Sequence, residues 1–355
     1  VLHPETFKMG EGLIGQVAQS RQAEFIPNAK EDPRILQHKD PALQIRSIIV
    51  APVIFRDTLI AVLAVANPAD GLPFTETDFS LVESLAEQMG LAIYNSDAMQ
   101  LQIEKNKLDL DLELAGNVQS LLLPSTFPSS PKFEFAAHYT AAQKVGGDLY
   151  DIFQIDEDRI GIAIADVSGK GISASILMAI CQTNLRHVSR QKDKPSEVLK
   201  IINRHMQSSM RADMFITIIY AIIDPEKETI TFARAGHELP LFYHLENGGP
   251  GNTETIKSNG MALGMVPSEI FDATIEDKTV PFHENDVLVL YTDGVTESVN
   301  NKGEEYSEKR LMKTLRKYGN RNAQSILNNI VKDVHVFSGK TGQPDDFTLI
   351  TVKHV

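Results

Sequence analysis

The pattern of hydrophobic and polar positions changes twice along the chain. Residues 12–67 contain a helical run and then three apolar, β-rich runs, of which the last two are separated by the polar pair Arg56 and Asp57. Apolar runs of this length with a short polar break are typical of β-hairpins. The segment is therefore predicted to form one short helix and three strands.

Helical spacing replaces the strand pattern after Thr75, a predicted N-cap with Asp78 three residues later. The next proline is Pro124, so the helix is predicted to run without interruption to that region. The stretch "LDLDLEL" at 108–114 alternates like a strand, but it lies between helical flanks without Gly or Pro. We expect it to stay helical with leucines on two faces, either as a plain connecting helix or as a dimerising coiled coil with a broken heptad.

The stretch "LPSTFPSSP" at 123–131 is predicted to separate this helix from a second folded region, because it contains three prolines and four hydroxyl residues. Strands and helices then follow without strict βαβ alternation, which favours an α+β fold with antiparallel sheets. The predicted domains are 1–97, a helical linker at 98–124, and 125–355.

Composition excludes several classes of protein. The net charge of -13 argues against a nucleic-acid partner, because phosphate contacts require clustered Lys and Arg. Arg56 and Asp57 interrupt the most apolar segment, so no membrane span is expected, and the first residues resemble no secretion leader. The single cysteine, Cys181, forms no internal disulfide. A cytoplasmic protein is expected.

Four aspartates mark the ends of apolar runs in the second region: Asp148 and Asp345 begin strands, whereas Asp166 and Asp293 end them. Residues 149–166 are predicted to form a hairpin in which paired positions sum to 314, which places Asp148 opposite Asp166. Cross-strand Cβ atoms lie about 5 Å apart, so two facing carboxylates require a positive charge between them.

An oxygen-only ligand set favours Mg²⁺ or Mn²⁺ over zinc, and a pair of such ions suits hydrolysis of phosphate esters. Each aspartate taken alone also fits an ordinary loop cap. A structural calcium site is a further alternative, although the chain has no D-x-D-x-D-G loop. A nucleotide-binding loop at "SGKG" is excluded because Ile164 stands where its first glycine is required.

Six motifs resemble the PPM phosphatases, which are metal-dependent, protein-phosphatase-2C-like serine/threonine phosphatases, and in particular their bacterial sporulation and stress-response (SpoIIE-like) branch. In order they are "VGGDLYD", "ADVSGKG", "FITIIYAIID", "ARAGHELPL", "LYTDGVTES" and "DDFTL", within residues 112–355. The resemblance implies an αββα sandwich of two antiparallel sheets with two Mn²⁺ or Mg²⁺ ions at one end.

The family's roles transfer to matching positions of this chain. Asp166 is expected to bridge both metals, and the carbonyl of Val167 and Asp148 are expected to serve the first metal. Asp293 and Asp345 are expected to complete the second. Catalysis is thus expected to depend on Asp166, Asp148 and Asp293. Supporting roles are expected for three further residues, of which the last stands near the place of the phosphate-facing arginine of eukaryotic members: Asp346, Asp151 and Lys144.

The first region resembles the C-terminal part of a GAF sensor domain, from "GEGLIGQVAQS" to "FTETDFSLVESLAEQMGLAIYN"; the earlier strands and helix of such a domain would precede Val1. The resemblance implies an enzyme that removes phosphate from Ser or Thr of a regulatory protein, by analogy an anti-sigma-factor antagonist. An unknown small molecule would control it, and a homodimer is expected through the linker helix. The alternatives are a sensory scaffold with an idle phosphatase domain and a dimetal hydrolase of another phosphate ester.

Overall fold

The structure is a computed structural model that describes residues 8–35, 39–41, 44–211, 213–245, 251–339, 343 and 345–355. The chain divides into two compact units, Val1–Leu108 and Asp109–Val355. The boundaries expected after residues 97 and 124 remain predictions. The expectation about a secretion leader concerns residues 1–12, of which the first seven lie outside the described part.

The first unit contains α1 (Gly12–Ser20) and the antiparallel strands β1 (Glu24–Ile26), β2 (Ile48–Phe55) and β3 (Thr58–Ala66), in the order β1-β2-β3. Residues 56 and 57 have φ values of 47° and 64°, as a tight hairpin turn of the primed type requires. The predicted short helix, three strands and hairpin are therefore confirmed.

The long helix α2 spans Glu76–Leu122, 47 residues. Its start is capped reciprocally: the Asp78 amide donates to Thr75 Oγ1 (3.3 Å), and the Thr75 amide donates to the Asp78 carboxylate (2.7 Å). Residues 108–114 are helical, as predicted, because helical hydrogen bonding satisfies the backbone on both sides of the alternating stretch.

The second unit contains two five-stranded antiparallel sheets. The first has the order β11-β8-β7-β6-β5. Its strands are β5 (Leu149–Gln154), β6 (Ile160–Val167), β7 (Ile216–Asp224), β8 (Thr229–Ala235) and β11 (Asp277–Pro281). The second has the order β10-β9-β12-β13-β4. Its strands are β4 (Phe133–Thr140), β9 (Leu241–His244), β10 (Asn252–Thr255), β12 (Val287–Tyr291) and β13 (Phe347–His354).

Helices cover the outer face of each sheet. Besides the end of α2, the helices in the described part of this unit are α3 (Ile172–Ser189), α4 (Pro195–Gln207), α5 (Ser268–Thr274), α6 (Asp293–Thr296), α7 (Ser307–Tyr318) and α8 (Ala323–Ser338). Residues of α3 and α4 share a buried cluster with the first sheet, and residues of α7 and α8 share one with the second. A third cluster, including Ile164, Ile219, Leu290 and Ile350, lies between the sheets. The expected αββα sandwich is confirmed.

None of the described helices has the length and apolarity that crossing a membrane requires.

Candidate metal centre

The hairpin of β5 and β6 has the register expected from the sequence. Leu149 pairs with Ala165, and every later pair of this ladder also sums to 314. One step further, Asp148 and Asp166 stand opposite each other at the open end of the hairpin. The electrostatic influence of each carboxylate on the other agrees with this placement.

Asp148 is buried at the end of the space between the two sheets. Its Oδ2 atom accepts hydrogen bonds from Thr292 Oγ1 (2.9 Å) and Thr348 Oγ1 (2.5 Å). Thr292 directly precedes Asp293 after β12, and Thr348 is the second residue of β13. The two hydroxyl groups therefore bring the ends of both strands of the second sheet against Asp148.

Asp293 and Asp345 lie on neighbouring segments of this edge. Asp293 begins α6, and Gly294 packs so closely against the backbone of Asp345 and Asp346 that a methyl group there would overlap with the Asp346 carbonyl. The strand ends of both sheets thus bring all four predicted aspartates to one edge of the sandwich. They belong to adjoining segments rather than to separate loops.

Asp346 supports the loop that carries Asp148. Its carboxylate accepts hydrogen bonds from the backbone amides of Ala142 (2.8 Å) and Gly147 (2.6 Å). Because Gly147 directly precedes Asp148, these bonds determine where the Asp148 side chain starts. This contact agrees with the supporting role expected for Asp346, which remains a prediction.

The gathered carboxylates disfavour each other's ionised forms. Burial, with further contributions from the charges of Asp293 and Asp345, raises the pKa of Asp166 to about 7. Burial and the nearby Asp166 hold the pKa of Asp148 well above its usual range, although the hydroxyl donors oppose this shift. Burial and Asp345 also raise the pKa of Asp293, while Lys170 lowers it. A divalent cation would relieve this repulsion.

A small space beside Gly147 tests whether these residues fit a metal ion. A methyl group on Gly147 would lie 2.9 Å from the Val167 carbonyl oxygen and 3.7 Å from Asp166 Oδ1. Both predicted ligand atoms therefore lie within 4 Å of the Cβ position that the glycine leaves empty, as does the methyl group of Ala174 (3.5 Å). The donors are carboxylate and carbonyl oxygens, which suit Mg²⁺ or Mn²⁺. In the type of their donor atoms, these residues suit such an ion.

The four predicted ligands are gathered without forming a closed cage. Among the residues that the structure describes, no group of three or more His, Cys, Asp and Glu side chains is arranged to hold a metal ion. Some of the carboxylate oxygens already have other partners. Hydroxyl groups donate to Asp148 Oδ2, and the Lys170 ammonium lies 3.1 Å from Asp345 Oδ2. Sequence reasoning missed Lys170, although its motif "SGKG" drew attention to the loop.

The structure places two of the expected supporting residues elsewhere. Asp151, three residues after Asp148, lies on the opposite face of β5, where its buried carboxylate accepts two hydrogen bonds from Arg186 (2.6 and 2.8 Å). The parity of strand positions, which alternate between faces, was the available signal for this. Lys144 donates to the Asp109 carbonyl of α2 (3.0 Å) and lies 3.9 Å from Glu113. These contacts are with α2 rather than with the four predicted metal ligands.

His237 of "AGHELP" is packed inside the fold. It is buried, its Nδ1 hydrogen-bonds with Thr217 Oγ1 (2.9 Å), and burial lowers its pKa to about 3. A neutral, enclosed imidazole agrees with a role in packing. Thr217 pairs with Asp166 across β6 and β7, so His237 is hydrogen-bonded to the strand neighbour of Asp166.

The family Stage II sporulation protein E (SpoIIE) matches residues 156–355, and the GAF domain family matches residues 2–93. Phosphoserine phosphatase RsbU of Bacillus subtilis (strain 168) is 32% identical over 78% of this chain and 80% of RsbU. Phosphoserine phosphatase RsbP of the same organism is 30% identical over 52% of this chain, but only 45% of RsbP is covered. Protein IcfG of Synechocystis sp. is 28% identical over 68% of this chain and 41% of its own length.

Solved structures agree on the fold. The SiaA-PP2C domain of Pseudomonas aeruginosa aligns with a TM-score of 0.61 at 19% identity, over 71% of this chain and 99% of that domain. The RsbU and RsbW domains of Rv1364c from Mycobacterium tuberculosis align with a TM-score of 0.55 at 20% identity, over 66% of this chain and 63% of theirs. At these identities the similarity shows the architecture alone.

Proposed function

The chain belongs to the Stage II sporulation protein E (SpoIIE) family, and from that premise we propose that it is a metal-dependent protein serine/threonine phosphatase controlled by its GAF domain. The observation that carries the proposal is the convergence of Asp148, Asp166, Asp293 and Asp345 at one edge of the sandwich. The phosphoserine phosphatases RsbU and RsbP favour this function over an idle scaffold and over other phosphate esters. We further propose a regulatory phosphoprotein as substrate, of the anti-sigma-factor antagonist type.

In this proposal two divalent ions, Mn²⁺ or Mg²⁺, bind at the aspartate edge. Asp166 would be shared by both ions, the Val167 carbonyl and Asp148 would hold the first, and Asp293 and Asp345 would hold the second. Such a pair binds phosphoryl oxygens and lowers the pKa of a bound water. The support for this assignment is the oxygen-only donor set and the mutual repulsion of the buried carboxylates, whose cause is described above.

The protein's own contribution is to position these groups before substrate arrives. Thr292 and Thr348 hold Oδ2 of Asp148, whose carboxylate also interacts with the facing Asp166. Asp346 fixes the backbone of the loop that precedes Asp148. Preorganised ligands of this kind need little rearrangement when the reaction begins.

The direct test is turnover of p-nitrophenyl phosphate and of a serine-phosphorylated regulatory protein with Mn²⁺, before and after Asp166→Asn. We expect activity that requires the metal and that falls by at least about 100-fold in the variant, since the substitution removes the charge of the bridging ligand. The control is Asp158→Asn, in the exposed turn of the same hairpin. Activity that survives chelation of all metal would refute the mechanism.

Control by the sensor is proposed to pass through α2. Near the end of this helix, the buried Gln119 donates to the Gly146 carbonyl (2.7 Å) and accepts from the Gly146 amide (3.1 Å). Gly146 lies two residues before Asp148, so a movement of Gln119 would displace the loop that carries a metal ligand. The sensor ligand is proposed to be a small molecule bound by the GAF unit.

A homodimer through α2 is proposed for the same helix. Large apolar side chains are exposed along its length, and burying such side chains in a partner helix is favourable. They include Leu81, Leu85, Met99, Leu101, Ile103, Leu108, Leu110, Leu114, Val118 and Leu121. Light scattering at micromolar concentration is expected to give the mass of a dimer, and a monomer would contradict the proposal.

A cytoplasmic setting is also proposed. Its support is the single cysteine, Cys181, which is buried in α3 with a pKa that burial raises to about 12, so that it is unreactive.

A further inference from the structure

Lys170 brings a positive charge to the edge where the aspartates gather. Its ammonium lies 3.1 Å from Asp345 Oδ2, and it also acts electrostatically on Asp293. Lys144, the lysine that stands nearest the position expected for a phosphate contact, is instead engaged with α2. Lys170 is thus a described basic side chain that is in contact with a predicted metal ligand.

The loop between β6 and α3 delivers Lys170 to this position. Gly169 and Gly171 have φ values of 92° and 83°, and a methyl group on either would meet nothing within 4 Å. Glycine is therefore required by backbone conformation rather than by crowding. The start of the loop is anchored by two hydrogen bonds between Ser168 and Phe215 (2.8 and 2.9 Å). The backbone of the loop is held at Ser168, while the Lys170 side chain is about half exposed.

The ion pair conflicts with a cation at Asp293 and Asp345. An ammonium within hydrogen-bonding distance of Asp345 repels a divalent ion bound by the same carboxylate, and it occupies one of the oxygens that the ion needs. Binding of the ion therefore favours release of Lys170. The anion that the same edge then receives is the phosphoryl group of the substrate. An ammonium group donates charge-assisted hydrogen bonds to phosphate oxygens.

We propose that Lys170 exchanges partners, pairing with Asp345 in the metal-free protein and with the phosphoryl group of the substrate once cations are bound. This inference rests on the proposed phosphatase function and adds a substrate-contacting residue to it. It also assigns Lys170 a second effect, which is to weaken cation binding when no substrate is present.

The test compares Lys170→Gln, which removes the charge, with Lys170→Arg, which keeps it. The matched control is Lys278→Gln, because Lys278 pairs with Glu276 on β11 at 3.4 Å and is exposed to a similar degree (41%, against 46% for Lys170). Calorimetry first measures Mn²⁺ binding to the full chain without substrate. It then measures binding of inorganic phosphate to the Mn²⁺-saturated protein.

Lys170→Gln is expected to bind Mn²⁺ roughly two- to fivefold more tightly, the range that exposed ion pairs supply. It is expected to bind phosphate about tenfold more weakly and to raise KM for p-nitrophenyl phosphate by a similar factor. Lys170→Arg and Lys278→Gln are expected to resemble the parent protein in both titrations. Unchanged Mn²⁺ affinity or unchanged phosphate affinity in Lys170→Gln would overturn the exchange. A parent protein without phosphatase activity would instead count against the proposed function, while the two titrations would still decide the role of Lys170.

Discussion

Substitution of Gly147 by alanine tests the metal centre without removing a ligand. The added methyl group would lie 2.9 Å from the Val167 carbonyl oxygen and needs about 3.4 Å for ordinary contact. Val167 cannot retreat, because β6 is paired with β5 on one side and with β7 on the other. The loop before Asp148 must therefore move by roughly 0.5 Å, whereas metal–ligand distances hold to about 0.2 Å.

Overpacking of this kind costs about 1–3 kcal/mol. If that cost falls on the metal-bound state, Mn²⁺ affinity decreases roughly 5- to 150-fold, at about 1.4 kcal/mol for each factor of ten. Calorimetric titration with Mn²⁺ measures the affinity. Thermal unfolding with and without Mn²⁺ provides a second reading, since a ligand that binds the folded state raises Tm.

The matched control is Gly161→Ala, at the other end of the same hairpin. Its methyl group would also meet an atom at 2.9 Å, here the ring of Phe153, far from the aspartates. It is expected to lower stability and to leave the intrinsic Mn²⁺ affinity unchanged. If Gly147→Ala bound Mn²⁺ as tightly as the parent, the space beside Gly147 would not be the metal site.

Three further substitutions test other contacts. Gln119→Ala leaves the buried amide and carbonyl of Gly146 without partners, so the free energy of unfolding in urea is expected to fall by about 1–3 kcal/mol. Mn²⁺ binding is expected to weaken as well. An unchanged Mn²⁺ affinity would argue against coupling through α2. Arg186→Ala removes the charged partner of the buried Asp151 carboxylate and is expected to lower the free energy of unfolding by about 2–3 kcal/mol. This is below the range for a fully buried pair because the arginine is nearly half exposed. A loss under about 0.5 kcal/mol would show that water replaces the arginine. The hydrogen bond to Asp286 raises the pKa of His244, so the stability that this pair contributes is complete below the unfolded pKa of about 6.5 and is lost as pH rises through the higher folded pKa. His244→Gln is therefore expected to cost up to about 1 kcal/mol of unfolding free energy at pH 5.5 and close to nothing at pH 8.5. A loss of stability that does not depend on pH would contradict this.

The sequence predicts the central part of the fold well because the signals there are local. The β5–β6 hairpin encloses a short polar turn, and its register follows once the turn is placed, which sets Asp148 opposite Asp166. Long apolar strands and the continuous helix α2 have equally clear periodicity. The short elements β9, β10, α5 and β11 escaped prediction, because four to seven residues in turn-rich sequence carry little periodic signal.

The sequence predicts those residues of the candidate site whose position follows from the end of a strand. It does not predict those whose position depends on the direction of the side chain. Asp151 is expected from the sequence to support the metal ligands, yet it lies three positions after Asp148 and therefore on the helix-covered face of the sheet, where it binds Arg186. Lys170 lies in a loop whose glycines adopt positive φ, and the sequence alone does not determine where such a loop aims its side chain. The hydroxyl donors Thr292 and Thr348 also depend on how two sheets pack.

The two threonine hydroxyl groups that share Oδ2 of Asp148 have a consequence for metal selection. A carboxylate with one oxygen already engaged can offer a metal only its other oxygen. Bidentate chelation, which Ca²⁺ commonly uses to fill its roughly six to eight coordination positions, would therefore not be open to Asp148. Discrimination against large ions would then originate in two uncharged side chains that never touch the metal.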